Sequence, residues 1–550
     1  MKVQDRSNGP SHQRHTVWLY KPGKRPYQPL GRLMLLEKVF LAGRTGSCPA
    51  RKQLLPNLLM VTGKELVNLG LKPGKWFKEA LDHINSYGLA GDALLAYLDT
   101  VKPAPVIPLL KAAVPFFENI SADTAVEQAN IDYVKQSMQQ LMRTPTVVAG
   151  AIMPDACPAG PLGTIPVGGI VATRNAIHPG MHSADICCSV MLTNLGRVDP
   201  KTVLDVAQQL THFGPGGRPA GQQFELPAAL QAEFQDNPFL NSLRSLRFAR
   251  EHLGTQGDGN HFLYVGISRN TGDTMLITHH GSRGVGAALY TQGMKVAERF
   301  RQAISPETAP PNAWIPSQSE EGKQYWAALQ TVRKWTKQNH LCLHDAIGSQ
   351  LGARVQQRYW NEHNFVFRDG DLFYHAKGAT PLDPKFMPDI TGPRIIPLNM
   401  AQPILIVEGP TTENNLGFAP HGAGRNLSRT RHKSSKGRQT KEDLFAEETR
   451  GIDARFFFNQ IDISELPSAY KDAEEVKRQI AQFNLATTID EILPYGCIMA
   501  GDWEQDAPWR RKKLAKEAAR LAAADSQADG SALQEQWGKV PGTYPGSGND

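Results

Sequence analysis

The stretch HSADICCSVML, residues 182–192, most restricts what this chain can become. Asp185 stands two and three positions before Cys187 and Cys188, with apolar residues on both sides. A carboxylate that enters a core beside thiols needs a partner, because an unpaired buried charge is expensive. Core filler, a redox pair and metal ligands all remain open on this stretch alone. A vicinal disulfide is the least favoured of them, since its ring is strained.

The rest of the chain narrows the choice. Six cysteines (48, 157, 187, 188, 342 and 497) among 550 residues do not make a disulfide framework. In a reducing compartment, cysteines near histidines point to metal or catalysis. With 41% hydrophobic and 21% charged residues the chain is expected to bury a sizeable core. A net charge of +7 is too small for a polybasic protein, so a nucleic-acid partner must be held by local patches. No apolar run approaches the roughly 20 residues that span a bilayer. The opening MKVQDRSNGPSHQRHTVWLY lacks a secretory apolar segment. A soluble, cytoplasmic protein with no membrane partner is the expectation.

Texture divides the chain. Residues 1–61 are basic and aperiodic, and residues 62–145 carry a helical period, as in KWFKEALDHINSYGLAGDALLAYLDT. From 146 to 505 short β-branched runs alternate with Gly and Pro, which predicts strands and tight turns, interrupted by helices near 286–303 and 322–360. Residues 506–550 hold a basic helix, WRRKKLAKEAARLAAA, and a polar tail.

Four further stretches place histidine beside glycine or asparagine: GDGNHF, THHGSRGVG, NEHNFVF and PHGAGRNLSR. Imidazole serves as metal ligand or nucleophile, and glycine lets a backbone approach an ion or phosphate. GSRGVG, opening a helix near Gly286, has the makings of an anion nest with Arg283 beside it. Downstream of His421 lie Arg425, Arg429, Arg431, Lys433, Lys436 and Arg438, suited to a polyanion.

Taken together and in this order, these stretches resemble the RtcB family of RNA-splicing ligases over roughly residues 145–500. Asp185 and Cys188 match its Asp-x-x-Cys, Gly259–Phe262 its Gly-Asn-His-Phe, and His279–Gly284 its His-x-Gly-Ser-Arg-Gly. His363–Asn364, Lys377–Thr380 and His421–Arg425 with Ser428 and Arg429 match its later motifs, and Asp155 takes the place of its upstream Asp. The resemblance implies an α+β (mixed α/β) fold: one large catalytic body of mixed sheets flanked by helices, with a helical lead-in and a basic helical extension. It implies two manganese ions bridged by Cys188, one completed by Asp185 and His261, the other by His279 and His363. Zinc or iron stays permitted by the residues. It implies His421 as the nucleophile that takes GMP from GTP. The nucleotide would lie against Asn260, His363, Asn364, Asn399, Met400, His421, Gly422, Ala423 and Gly424, with Arg283, Lys377, Arg425 and Arg429 on triphosphate or RNA phosphates. The implied substrates are RNA ends, tRNA among them: a 2′,3′-cyclic phosphate or 3′-phosphate joined to a 5′-hydroxyl. An accessory protein would bind the terminal extensions.

The departures are Cys187 and Ser189 where the family has glycines, Tyr264 at an acidic position, and Ala500 at a lysine. Cys187 is read as structural. Tyr264 and Ala500 are expected to relax the preference for guanine, with Tyr264 stacking or giving one hydrogen bond. Two rival readings stay open: a nucleotidyltransferase that caps 3′-phosphate ends without joining them, and a catalytically weak RNA-binding relative.

Overall fold

The computed structural model describes residues 60–102, 106–389, 392–437 and 439–503. The expected basic lead-in up to residue 59, Arg438 and the expected basic helix and tail lie outside the described residues. The contacts close a first compact unit at Val101 and open a second at Lys102.

In the first unit, helices Gly63–Asn68, Trp76–Tyr87 and Gly91–Val101 bury Leu66, Phe77, Ala80, Ile84 and Leu98. Thr62 and Glu65 form a capping box at the first helix, and Gly88 in the left-handed region ends the second. The helix Ala125–Leu141 belongs to the larger unit, where Val134, Met138 and Leu141 pack with Ile152 and Val171.

The larger unit is built on two main mixed sheets. The five-stranded one runs Phe117–Glu118, Val147–Cys157, Val167–Arg174, Leu372–Lys377, Asn364–Asp369. In the larger one the order is Arg394–Ile396, Ile404–Glu408, Thr487–Met499, Phe262–Ser268, Thr274–His280, Ser189–Asn194, Gln357–Glu362, with Asp453–Phe456 pairing in parallel on Thr487–Met499. The expected helices form, with shifted ends. One begins at Arg283 rather than Gly286 and runs to Ile304. The other, Glu320–Leu351, stops short of the expected residue 360 because Gly352 turns into the left-handed region. Residues Gln357–Glu362 become a strand instead.

Adjacent residues on a strand face opposite ways, and this sorts the cores. Val190, Leu192, Tyr264, Met275, Ile277, Cys497 and Met499 share one cluster, whereas Leu263, Val265, Leu276, Ile498 and Ala500 share another. Among the described residues, no helix is long and apolar enough to cross a membrane.

The two sheets meet at His363, which stands between Gln357–Glu362 of one and Asn364–Asp369 of the other. Backbone bonds stitch this seam: His363 N donates to Cys188 O at 2.9 Å, Cys187 N to Asn364 O at 2.6 Å, and Gly378 N to His363 O at 2.8 Å.

Candidate metal centre and nucleophile

The seam gathers the sequence-predicted ligands from four chain segments. Cys188, His279 and His363 bring donor atoms together, as do Asp185, Cys188 and His261, with every atom of each group within 4.8 Å of the others. Cys188 belongs to both groups. The thiol sulfur lies 3.1 Å from His279 Nε2 and 3.5 Å from His261 Nε2. His279 Nε2 lies 3.2 Å from His363 Nε2, and His261 Nε2 lies 3.2 Å from Asp185 Oδ2.

The outer ring nitrogens set the tautomers. His261 Nδ1 faces the Gln256 carbonyl at 2.6 Å, and His279 Nδ1 faces the Asn260 carbonyl at 3.1 Å. A carbonyl only accepts, so each Nδ1 carries a proton and each Nε2 faces inward. Burial pushes the pKa of His279 down to about 3 and that of His363 well below its ordinary value. The His279 and His363 imidazoles are therefore neutral. Burial and the Asp185 carboxylate push the Cys188 thiol up. Burial opposes ionisation of Asp185, but the hydrogen bond and charge of His261 hold its carboxyl below the usual range. Imidazole nitrogens gathered around a thiol and a carboxylate are a donor set that suits divalent cations, since a coordinated thiol loses its proton. The residues fit the expected ions.

Cys187 points the other way into the main core, fully buried at φ +59°.

Beside the ligands lies His421, its ring centroid 4.8 Å from that of His363. Asp155, fully buried, accepts from His421 Nδ1 at 2.5 Å and from its backbone N–H at 3.1 Å. The ring is fixed with Nδ1 on Asp155 and Nε2 turned away from it. The following loop presses against Asp155. Gly424 sits at φ +72°, and a Cβ there would lie 2.1 Å from the Asp155 carbonyl oxygen, so only glycine fits. Asn364 Oδ1 accepts from Gly378 N at 2.7 Å, and Asn399 Oδ1 from Ala401 N at 3.0 Å. Gly422 approaches Pro397, where a Cβ would lie 2.9 Å from the carbonyl oxygen, and Ala423 and Met400 are buried in two different core clusters.

The expected phosphate-binding cations are placed differently from one another. Arg283 turns inward: Nη2 donates to Gly214 O at 2.5 Å and Nε to Thr255 Oγ1 at 3.2 Å. Arg425 donates to Ser464 O and to Glu465 Oε2, both at 2.6 Å, and lies over the Tyr470 ring. Lys377 Nζ donates to the carbonyls of Ala159 and Ile165 at 3.3 Å, and burial lowers its pKa to about 8. Arg429 Nε donates to Glu465 Oε1 at 2.7 Å while 41% of its side chain stays exposed. Sequence reasoning missed Glu465 altogether; it lies in ISELPSAYK, a stretch with no motif, and only the fold brings it to both arginines.

Tyr264 and Ala500 also depart from expectation. Tyr264 is 1% exposed, packs in the core with Met400, and donates its hydroxyl to Ile492 O at 2.9 Å. Its face is not open for stacking on a base. Ala500 packs in the cluster on the opposite face of the sheet, so the two side chains do not form a pair.

A mixed α/β body that holds two metal-capable donor groups sharing one thiol, beside a histidine bonded to a buried carboxylate, defines a class: proteins with a buried site of metal-ligand type. The family model described as tRNA-splicing ligase RtcB matches residues 137–500. The chain belongs to the RtcB family. It is 29% identical to the tRNA-splicing ligase RtcB of Aeropyrum pernix over 46% of this chain and 60% of that protein. With the RNA-splicing ligase RtcB of Escherichia coli K12 it shares 27% over 63% of this chain and 89% of the relative. With the Pyrococcus abyssi protein of the former name it shares 26% over 47% of this chain and 32% of the relative. The chain thus spans between about a third and three fifths of the length of the archaeal relatives cited here.

Proposed function

We infer that this protein is an RNA ligase that joins 2′,3′-cyclic phosphate or 3′-phosphate ends to 5′-hydroxyl ends through a histidine–GMP intermediate, in tRNA splicing or RNA repair in the cytoplasm. The observation that carries the reading is the carboxylate-held His421 beside a cluster of five metal-type ligands. Asp185, Cys188 and His261 would hold one Mn2+, and Cys188, His279 and His363 the other. Bound divalent cations supply charge compensation and polarisation at phosphoryl oxygens.

The chain's own residues do the rest. His421 Nε2 attacks the α-phosphorus of GTP; the N–P bond forms and the bond to pyrophosphate breaks, with the electron pair leaving on pyrophosphate. Asp155 accepts the Nδ1 proton's hydrogen bond and stabilises the positive ring that results. Water opens the cyclic phosphate, and the 3′-phosphate oxygen takes GMP from His421. The 5′-hydroxyl oxygen then attacks the phosphorus of the RNA 3′-phosphate and loses its proton, while the bond to GMP breaks and GMP leaves with the electron pair. Asn260, Asn364, Asn399, Met400 and Gly422–Gly424 frame the nucleotide, and the open edge of Arg429 meets RNA phosphate.

The test is incubation of the purified protein with Mn2+ and each labelled nucleotide, reading intact mass and joining of cyclic-phosphate and 5′-hydroxyl RNA ends. A GMP-sized mass gain and joining are expected, and His421→Asn should keep metal while losing the adduct. An adduct that survives His421→Asn would overturn the reading; adduct without joining would favour end-capping.

A further inference from the structure

Asp155 raises a problem of its own. It is a fully buried carboxylate whose Oδ1 has no hydrogen-bond partner among the described residues. Its Oδ2 serves only His421. Such a group needs a fixed backbone and a counter-charge.

Both come from one residue that no motif signals. The Lys471 side chain is buried, with 8% of the residue exposed. Its Nζ donates to Pro154 O at 2.9 Å and to Ala156 O at 2.8 Å, the carbonyls on either side of Asp155. Its backbone N–H donates to Gly424 O at 3.0 Å, in the loop that carries His421. The residues just before it grip the same loop, since Arg425 donates to Ser464 O, Glu465 and Tyr470 Oη. Segment 463–471 therefore forms a buttress with one end on the nucleophile loop and the other on the strand that presents Asp155. A buried ammonium has a strong demand for acceptors, and here the acceptors are the two carbonyls that set the direction of the Asp155 side chain.

We propose that Lys471 is a positioning residue for the nucleophile: its ammonium locks the backbone on both sides of Asp155 and balances that carboxylate, so that Asp155 holds the His421 ring with Nε2 free to attack. The proposal rests on the reading of His421 as nucleophile.

Lys471→Met keeps the length of the side chain and removes charge and donors; Lys471→Arg keeps both. Three measurements are made on the full chain. The first, without nucleotide, is the downfield N–H resonance of the His421–Asp155 hydrogen bond in protein labelled with 15N-histidine. The second and third are the maximal rate of histidine–nucleotide formation with Mn2+ and GTP, and the GTP concentration for half that rate. In Lys471→Met the resonance should vanish and the maximal rate fall by about 10- to 100-fold, as for other groups that orient a reactive imidazole. Half-saturation and metal content should stay within about twofold, and Lys471→Arg should recover the resonance and much of the rate. A Lys471→Met protein with the parent's resonance and rate overturns the proposal. So does a variant whose rate falls only in step with its folded fraction, or an arginine variant no better than the methionine one. Absence of any adduct in the parent, with the resonance present there and lost in Lys471→Met, overturns the ligase reading and leaves the positioning role standing.

Discussion

His279 and His280 are neighbours on one strand and have opposite fates. His279 faces the donor cluster, 3.1 Å from the Cys188 sulfur. His280 faces the other side of the sheet, stacked on His340 of the helix Glu320–Leu351 at 3.5 Å between centroids. On that back face the polar groups satisfy one another. His340 bonds Ser189 Oγ at 3.0 Å and Thr278 Oγ1 at 2.7 Å, and His344 bonds Thr278 Oγ1 and Thr193 Oγ1, both at 2.8 Å. On the front face His261 and His279 give their outer N–H groups to carbonyls, and the Nε2 atoms of His279 and His363 face each other at 3.2 Å. Two sets of buried histidines thus differ in what they lack. The back set is nearly complete as protein; the front set is completed by an ion.

The sharpest way to break this comparison is to remove the shared thiol. Cys188→Ala is expected to lose both metal ions and adduct formation, while Cys187→Ala, whose side chain lies in the core, keeps both. Metal analysis of the two purified variants checks it, and two ions retained in Cys188→Ala would refute the bridge.

Acid comes next. Burial depresses His178 and His344 to about 3 and His182 to about 4. Because the folded values lie below the ordinary 6.5, the unfolded chain takes up these protons first as pH falls. Their contribution to stability is full above about 6.5 and is lost as pH falls toward 3 to 4. At one pH unit below 6.5 each histidine costs about 1.4 kcal/mol, so the three together cost about 4 kcal/mol. Denaturant midpoints between pH 7.5 and 5.5 measure this, and a flat profile would remove the neutral-core account.

His340→Ala separates the faces directly. It opens a cavity and takes one of the partners from Ser189 Oγ and from Thr278 Oγ1, an expected loss of about 3 kcal/mol, with metal retained in the folded protein. His279→Ala should do the reverse, losing metal with little change in stability without metal. Thermal melts and metal content of both variants decide it.

The smallest effect belongs to Tyr264→Phe. It deletes the hydrogen bond to Ile492 O and should cost about 1 kcal/mol, leaving the ratio of GTP to ATP adduct unchanged. Tyr264→Glu with Ala500→Lys should destabilise the protein rather than tighten base choice, because both positions are core. A gain in guanine selectivity would show that the positions face the nucleotide after all.

The comparison also marks how far the residues could be read. Residue type and Gly- or Asn-rich context pick out His261, His279, His363 and His421, the family resemblance picks out Asp185 and Cys188 as ligands, and the fold brings all six together. The cations differ from the ligands in where the fold ties them. Arg283 and Arg425 follow histidine–glycine turns in the sequence, yet they donate to Gly214 O and to Glu465. Nothing local in the chain distinguishes an arginine that meets solvent from one that meets a distant glutamate.

By itself, the sequence determined the donor inventory, the mixed texture and the motif order, because these depend on residue type and short spacing. Tertiary structure decided which of two adjacent histidines faces the donor cluster, that Tyr264 and Ala500 part to opposite faces, and that Lys471 reaches the carbonyls flanking Asp155. Strand alternation turns a difference of one position into a change of side. Contacts such as that from Lys471 to Pro154 join residues 317 positions apart, and only the closed fold sets them.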